Sequence, residues 1–476
     1  MTNTPRVPLS TSEIPRRRTV ASRYTGCWAW LVLLAAMAGC GSGADNGTRA
    51  DAPVVRLQVV ADAVEAEAYR TLIDGFHRAH PDIRVEPVFV GRQQEHVTRL
   101  ATSFAGRRPP DLFLINYRRY GQFLDRDLLD PLGPRLADRP DFAAANFYAP
   151  ALEAFQFRGQ QMCLPQNIST QVVYYNRALF QRFGVPEPAD DWNWKAFHDA
   201  ARALTRDTDG DRLPDIFGLD FDPDLVHMAP FIWQAGGRIV DRLDNPRSLA
   251  LRIPDSVIGL MYPKRLRTEA SVFPPLSQRR AVGPEQRFMN GDLGMLIQSR
   301  RLSTSFRAVT DLDWDVAPLP RNKEAATLLH ADAYCLTRAS KAPQAAATFV
   351  AYALGEAGQT LLSRTGRIVP VRRSVAESPA FLDTDQPPRR AQVFLDNIDI
   401  VRRLPITPRW YEVEMRAWPI IEEWMFEDMA RLAAEANHGL NDGYRLVMLL
   451  DQAVGDIVHA PWPKDAADMT STVDQP

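Results

Sequence analysis

From Val54 to Tyr117 the chain alternates strand-like and helix-like patterns, and this alternation constrains the fold more than any other feature. Residues 54–60 (VVRLQVV) read as a buried strand. Tyr69, Leu72, Ile73 and Phe76 then fall at i, i+3, i+4 and i+7 and make one apolar helix face. Pro81 stops that helix, and 83–90 reads as a second strand. A helix over about 95–105 and an apolar strand over 111–115 follow, ending at Asn116-Tyr117. Strand–helix alternation of this kind predicts an α/β lobe with a largely parallel sheet. Ligands of such sheets bind beyond the carboxyl ends of the strands. Ala61-Asp62 and Asn116-Tyr117 are therefore expected on the functional edge.

The middle of the chain repeats the pattern. Residues 172–175 read as a strand and 177–183 as a short helix closed by Gly184 and Pro186. Asp191 can cap the next helix, whose buried side carries Trp194, Phe197 and Leu204. Residues 343–362 read as one long Ala-rich helix, and 410–458 as almost wholly helical. A chain of 476 residues exceeds one ordinary core and suits two lobes. The net charge of -2 implies no polyanion partner, so no nucleic acid is expected.

Arg16, Arg17, Arg18 and Arg23 precede an apolar run from Trp28 to Ala38, which ends at Met37-Ala38-Gly39-Cys40. This is the layout of a secretory signal with a bacterial lipobox. The run is too short to span a bilayer as a stable helix. Residues 1–39 are thus expected to be a lipoprotein signal peptide, Cys40 the lipidated residue, and 40–52 a flexible tether. The alternative is an ordinary signal peptide with a chance cysteine. Cys163 and Cys335 remain in an oxidising compartment. Two cysteines are no disulfide framework, so buried free thiols are expected in preference to a bridge.

Several segments in order carry a family resemblance. They include Phe76-His77-Arg78-Ala79-His80-Pro81 before a strand, Pro110-Asp111-Leu112-Phe113 before a loop, and Val173-Tyr174-Tyr175-Asn176. Further along come Trp192-Asn193-Trp194, Trp233-Gln234-Ala235-Gly236-Gly237, Phe288-Met289-Asn290-Gly291-Asp292 and Gly366-Arg367-Ile368-Val369-Pro370. Over about residues 54–458 the chain resembles the extracellular solute-binding proteins of ABC importers, the branch with maltodextrin and glycerol-phosphodiester binders. The resemblance implies an α/β, two-lobed periplasmic-binding-protein fold with three hinge crossings, of the maltose-binding type. Lobe one would be 53–166 plus 336–398, lobe two 167–335 plus 405–460, and 461–476 a disordered tail. It also implies an envelope lipoprotein, monomeric, that hands a sugar, oligosaccharide or anionic sugar derivative to membrane permease subunits. The alternatives are a glycerophosphodiester binder of the same fold or, in another class, a secreted glycosidase. No nucleophile elbow, zinc-protease motif or phosphate loop is present in the sequence.

Aromatic faces cover the C–H side of a pyranose while planar polar groups take its hydroxyls. On that chemistry and the resemblance, ligand contacts are expected from Asp62, Asn116, Tyr117, Trp192, Trp233, Arg367, Trp410 and Tyr411. Asn167 and Thr170 fall at the first crossing, and Asp332 and Tyr334 near the second, where hinge hydrogen bonding is the plainer role. Relatives commonly place a tryptophan where this chain has Arg300-Arg301. A guanidinium there would favour a carboxylate or phosphate on the ligand. In Asp207-Thr208-Asp209-Gly210-Asp211-Arg212-Leu213-Pro214-Asp215, carboxylates at positions 1, 3, 5 and 9 and the Leu213 carbonyl can converge on a structural Ca²⁺. An Asp-rich turn without metal is the alternative, and no other cofactor is expected.

Overall fold

The computed structural model describes residues 52–426 and 440–458. The leader, Cys40, most of the tether and the tail from 461 lie outside the described residues. No described helix is long and apolar enough to cross a membrane.

In chain order the strands are β1 (Val54–Val60), β2 (Arg84–Val90), β3 (Leu112–Asn116), β4 (Leu129–Asp130) and β5 (Gln156–Phe157). Next come β6 (Gln160–Gln161), β7 (Cys163–Pro165), β8 (Ser169–Thr170), β9 (Val172–Asn176) and β10 (Phe217–Asp220). The last are β11 (Leu293–Gln298), β12 (Trp314–Ala317), β13 (Thr327–His330), β14 (Asp332–Thr337) and β15 (Val401–Arg402).

The first lobe is built on a sheet ordered β2-β1-β3-β14-β4, with β7 also on β14. Its β1, β2 and β3 are parallel, but β14 runs antiparallel to β3, β4 and β7. The sheet is therefore mixed, where a largely parallel one was expected. The reason is that β14 enters from the second lobe. It arrives as a crossing strand, so no helical crossover forces it to run parallel. The second lobe has the order β10-β11-β9-β12, with β9 antiparallel to both neighbours.

Between the lobes lies a ribbon of β15, β13 and β8. It ties the three crossings together. Thr327 and Leu328 pair with Val401 and Arg402, while Leu329 and His330 pair with Thr170 and Ser169. The backbone passes between sheets at 165–172, at Ala331 and at about 398–405. The joint is packed as well as hydrogen-bonded. One apolar cluster runs from Phe113 and Phe123 of the first lobe through Ile168 and Ala331 to Tyr174, Phe306 and Trp314 of the second. Gly121 permits the third crossing to lie on helix Tyr117–Leu124, because a Cβ there would meet the carbonyls of Ile406 and Thr407 at 2.5 and 2.6 Å.

Three local expectations are corrected. Helix Trp194–Leu204 is capped by Asn193, whose side chain accepts from the Ala196 N–H, and not by Asp191. The Ala-rich stretch is two helices, Pro343–Ala353 and Glu356–Ser363, broken at Leu354-Gly355. Cys163 and Cys335 are bonded to each other. They stand directly opposite on β7 and β14, with Cα atoms 4.5 Å apart, the spacing of a non-hydrogen-bonded antiparallel pair.

Candidate functional site

A cleft of about 390 Å³ opens between the lobes against the hinge ribbon. The first lobe contributes the carboxyl end of β3 and the helix after it, through Asn116, Arg118 and Arg119. The first crossing adds Gln166, Asn167 and Ser169, and the second adds His330 and Asp332. Ser299 and Arg301 come from the second lobe, and Glu65 and Arg367 close the first-lobe side.

Side-chain parity in extended backbone explains which crossing residues face the cleft. Asn167 and Ser169 line it, while Ile168 is core and Thr170, fully buried, accepts from Asn397 Nδ2 at 3.3 Å. His330 lines it, while the preceding Leu329 lines a separate cavity of about 450 Å³ on the opposite face.

Asp332 is the fixed point of the floor. Its two carboxylate oxygens accept from Asn116 Nδ2 and Asn167 Nδ2, each at 3.2 Å. Its own N–H donates to Asn167 Oδ1. Asn116 also caps helix Tyr117–Leu124 by accepting from the Arg118 N–H. The hinge role foreseen for Asn167 and Asp332 and a position in the cleft thus coincide.

Glu65 and Arg367 form a second polar unit. Arg367 Nε lies 2.5 Å from Glu65 and its Nη1 donates to Asp62 at 2.7 Å. Burial pushes the Glu65 carboxyl up to about 8; the Asp62 and Asp332 charges add to the rise and Arg367 opposes it. Asp62 itself caps helix Ala63–Ala79 and stays outside the cleft lining. His330 is held neutral: burial, with Arg118, His227 and Arg301 nearby, keeps its imidazole well below the ordinary value.

The other expected contacts lie elsewhere. Tyr117 is fully buried, and its hydroxyl accepts from the Leu404 N–H at 3.1 Å, pinning the third crossing. Tyr334 is buried beneath the floor against the Tyr69 hydroxyl. Trp192 is core and donates to the Pro318 carbonyl. Trp233 lines the separate cavity behind β13. Trp410 is fully buried in the second-lobe core. Its neighbour Tyr411 is the ring beside the cleft, with the Arg119 guanidinium 4.4 Å over its face. Arg300 turns inward, donates Nε to the Gly366 carbonyl and sits between Phe381 and Phe394. Arg301 alone of that pair lines the cleft, ion-paired to Glu285 at 2.7 Å. No Trp, Tyr or Phe lines the cleft among the described residues.

Sequence reasoning passed over Glu65, Arg118, Arg119, Gln166, Ser169, Ser299 and His330. Arg118-Arg119 directly follow Asn116-Tyr117 on the edge already marked as functional, so the signal was one helical turn away. In the acidic loop, Asp207, Asp209 and Asp215 bring one oxygen each within 4.8 Å of one another. Asp211 is not part of that group; its Oδ1 accepts from the Leu213 N–H. Asp207 accepts from the Gly210 and Arg212 N–H groups, which hold its carboxyl below the usual range.

The profile of the bacterial extracellular solute-binding protein family matches residues 62–360. A Brucella abortus protein described as a binding protein is 21% identical over 319 residues, 66% of this chain and 74% of its own. The sn-glycerol-3-phosphate-binding periplasmic protein of Agrobacterium fabrum is 22% identical over 141 residues, 29% of this chain and 32% of its own. Among solved structures, the Listeria monocytogenes ABC substrate-binding protein in complex with cycloalternan superposes with a TM-score of 0.74. It is 21% identical and covers 85% of this chain and 100% of its own. The sugar-binding protein MalE of Xanthomonas citri gives 0.72 at 18% identity, covering 89% and 100%. These structures share the two-lobed fold.

Proposed function

The chain belongs to the bacterial extracellular solute-binding protein family, and from that premise we propose that it captures a sugar, oligosaccharide or anionic sugar derivative for uptake by an ABC importer. The observation that carries this reading is the convergence of amides, hydroxyls and guanidinium groups from both lobes and two crossings on one cleft. Such groups suit a polyhydroxyl solute, and a ligand touching both lobes favours the shut form. The cycloalternan and MalE relatives support a carbohydrate. The Agrobacterium relative and the cleft arginines favour a second reading, a glycerophosphodiester or related ester. A thermal-shift screen of the purified protein against neutral sugars, uronates, sugar phosphates and glycerophosphodiesters tests both. A rise in melting temperature with one class supports the reading, and no rise with any class contradicts it.

We further read Cys40 as the lipid anchor and the protein as a monomer of the cell envelope that meets permease subunits. Cys40→Ser should release the folded protein from membranes; membrane retention equal to the unaltered chain would contradict the anchor. Asp207, Asp209 and Asp215 are the carboxylates that would hold a structural Ca²⁺, whose oxygen preference they meet.

A further inference from the structure

We propose that Arg118 and Arg119 form an anion subsite, so that the solute is a sugar or polyol bearing an oxyanion, phosphate or carboxylate. The proposal rests on the cleft being the solute site and deepens that reading. Most cations at the cleft are already matched. Arg367 is held between Asp62 and Glu65. Arg301 is paired with Glu285, and Arg300 faces away. Arg118 and Arg119 are different. Arg118 is 11% exposed, and its Nε and Nη1 have no hydrogen-bond partner among the described residues. It is ion-paired to Glu414 of the second lobe at 3.5 Å, beyond a good hydrogen bond. Arg119 Nε is likewise buried without an acceptor. The Tyr411 ring lies beneath the guanidinium, and its hydroxyl interacts with Arg119 without satisfying Nε.

Buried N–H donors on a permanent cation are costly to leave unmet. A phosphate or carboxylate supplies several acceptor oxygens and accepts from a guanidinium in pairs. Asp332 in the lining and Asp224 beyond it act on Arg118 through their charge, but neither bonds its Nε or Nη1. Among the other lining residues, Gln166, Asn167, Ser169, Ser299 and the neutral His330 suit hydroxyls. Among the described residues no Trp, Tyr or Phe lines the cleft to stack a neutral pyranose. At about 390 Å³ the cleft is at the small end of ligand sites, which run about 300–1,000 Å³. A short ligand with an anionic end fits these terms better than a long neutral oligosaccharide.

The test is calorimetric titration of the purified protein with glucose 6-phosphate, glucuronate, glycerol 3-phosphate, glucose and maltose. At least one anionic compound should bind about 100-fold more tightly than its neutral counterpart, with affinity falling as salt rises. Comparison of the phosphates with glucuronate separates the two oxyanions. Arg119→Gln, which keeps the Arg118–Glu414 ion pair, should weaken the anionic ligand about 30-fold or more while the protein stays folded. Tight binding of glucose or maltose, with Arg119→Gln within threefold of the unaltered protein, would overturn the anion subsite and leave the solute-binding reading standing. Binding of none of the five would overturn the anion subsite, and the wider thermal-shift screen would then decide the solute-binding reading.

Discussion

The hydroxyl of Tyr411 donates to Gln94 Oε1 at 2.6 Å, joining a second-lobe helix to a first-lobe helix beside the cleft. Arg119 stacks on the same ring, so one side chain meets two first-lobe residues. A bond between lobes forms only while they are together, so it favours the shut form that holds solute. Tyr411→Phe keeps the ring under Arg119 and removes the bond. Affinity for solute should fall about 3- to 10-fold, the worth of one such bond. Calorimetry giving an affinity within twofold of the unaltered protein would show that the contact is incidental.

The Cys163–Cys335 bridge closes a loop with a sequence separation of 172 and crosses the join between β7 and β14. Its loss should cost about 2–4 kcal/mol of stability. Denaturant unfolding of the oxidised protein and of the Cys163→Ala/Cys335→Ala variant measures this. Equal midpoints, with two titratable thiols in the native protein, would remove the bridge from the account.

Glu65 sets a pH dependence. Its folded value is near 8 and its ordinary value 4.5, so between those values the native state keeps a proton that the unfolded chain has released. Stability from this group therefore falls as pH rises through that window. Relative to Glu65→Gln, the unaltered protein should lose about 1–3 kcal/mol of stability from pH 5 to pH 8. A constant difference across that range would mean that Arg367 fully compensates the burial.

The acidic loop gives a metal prediction. With Ca²⁺ bound by Asp207, Asp209 and Asp215, chelation should lower the melting temperature by several degrees, since ion bound only to the native state stabilises it. Identical melting curves with and without chelator, together with no calcium in elemental analysis, would reduce the loop to a self-capped turn. Its side chains already serve that role toward Gly210, Arg212 and Leu213.

What could be read from the sequence follows from the physics of each signal. β1, β2 and β3 were legible because buried parallel strands are apolar runs bounded by turns. Direction within a sheet leaves no such mark, so the antiparallel entry of β14 was hidden. The break at Gly355 was hidden because alanines on both sides keep the helical pattern unbroken. The disulfide was hidden because its halves are far apart in sequence and meet only through sheet register. At the cleft, Asn116, Asn167 and Asp332 were legible as polar residues at a strand end and at crossings, and Arg301 and Arg367 through the family resemblance. Trp233 and Trp410 were misplaced because a ring at the right sequence position can face either side of its element, and both face away from the cleft. Arg118 and Arg119 needed the helix to be placed before their direction could be known.

Solute held by both lobes at the hinge ribbon should be seen as protection on both sides of the cleft. Hydrogen exchange measured by mass spectrometry, with and without the solute identified by the screen, tests it most directly. Protection should appear together in segments 114–119, 166–169, 299–301, 330–332 and 366–368, drawn from both lobes and two crossings. Protection confined to one lobe, or centred on 238–243 and 401–405 around the cavity behind β13, would contradict it.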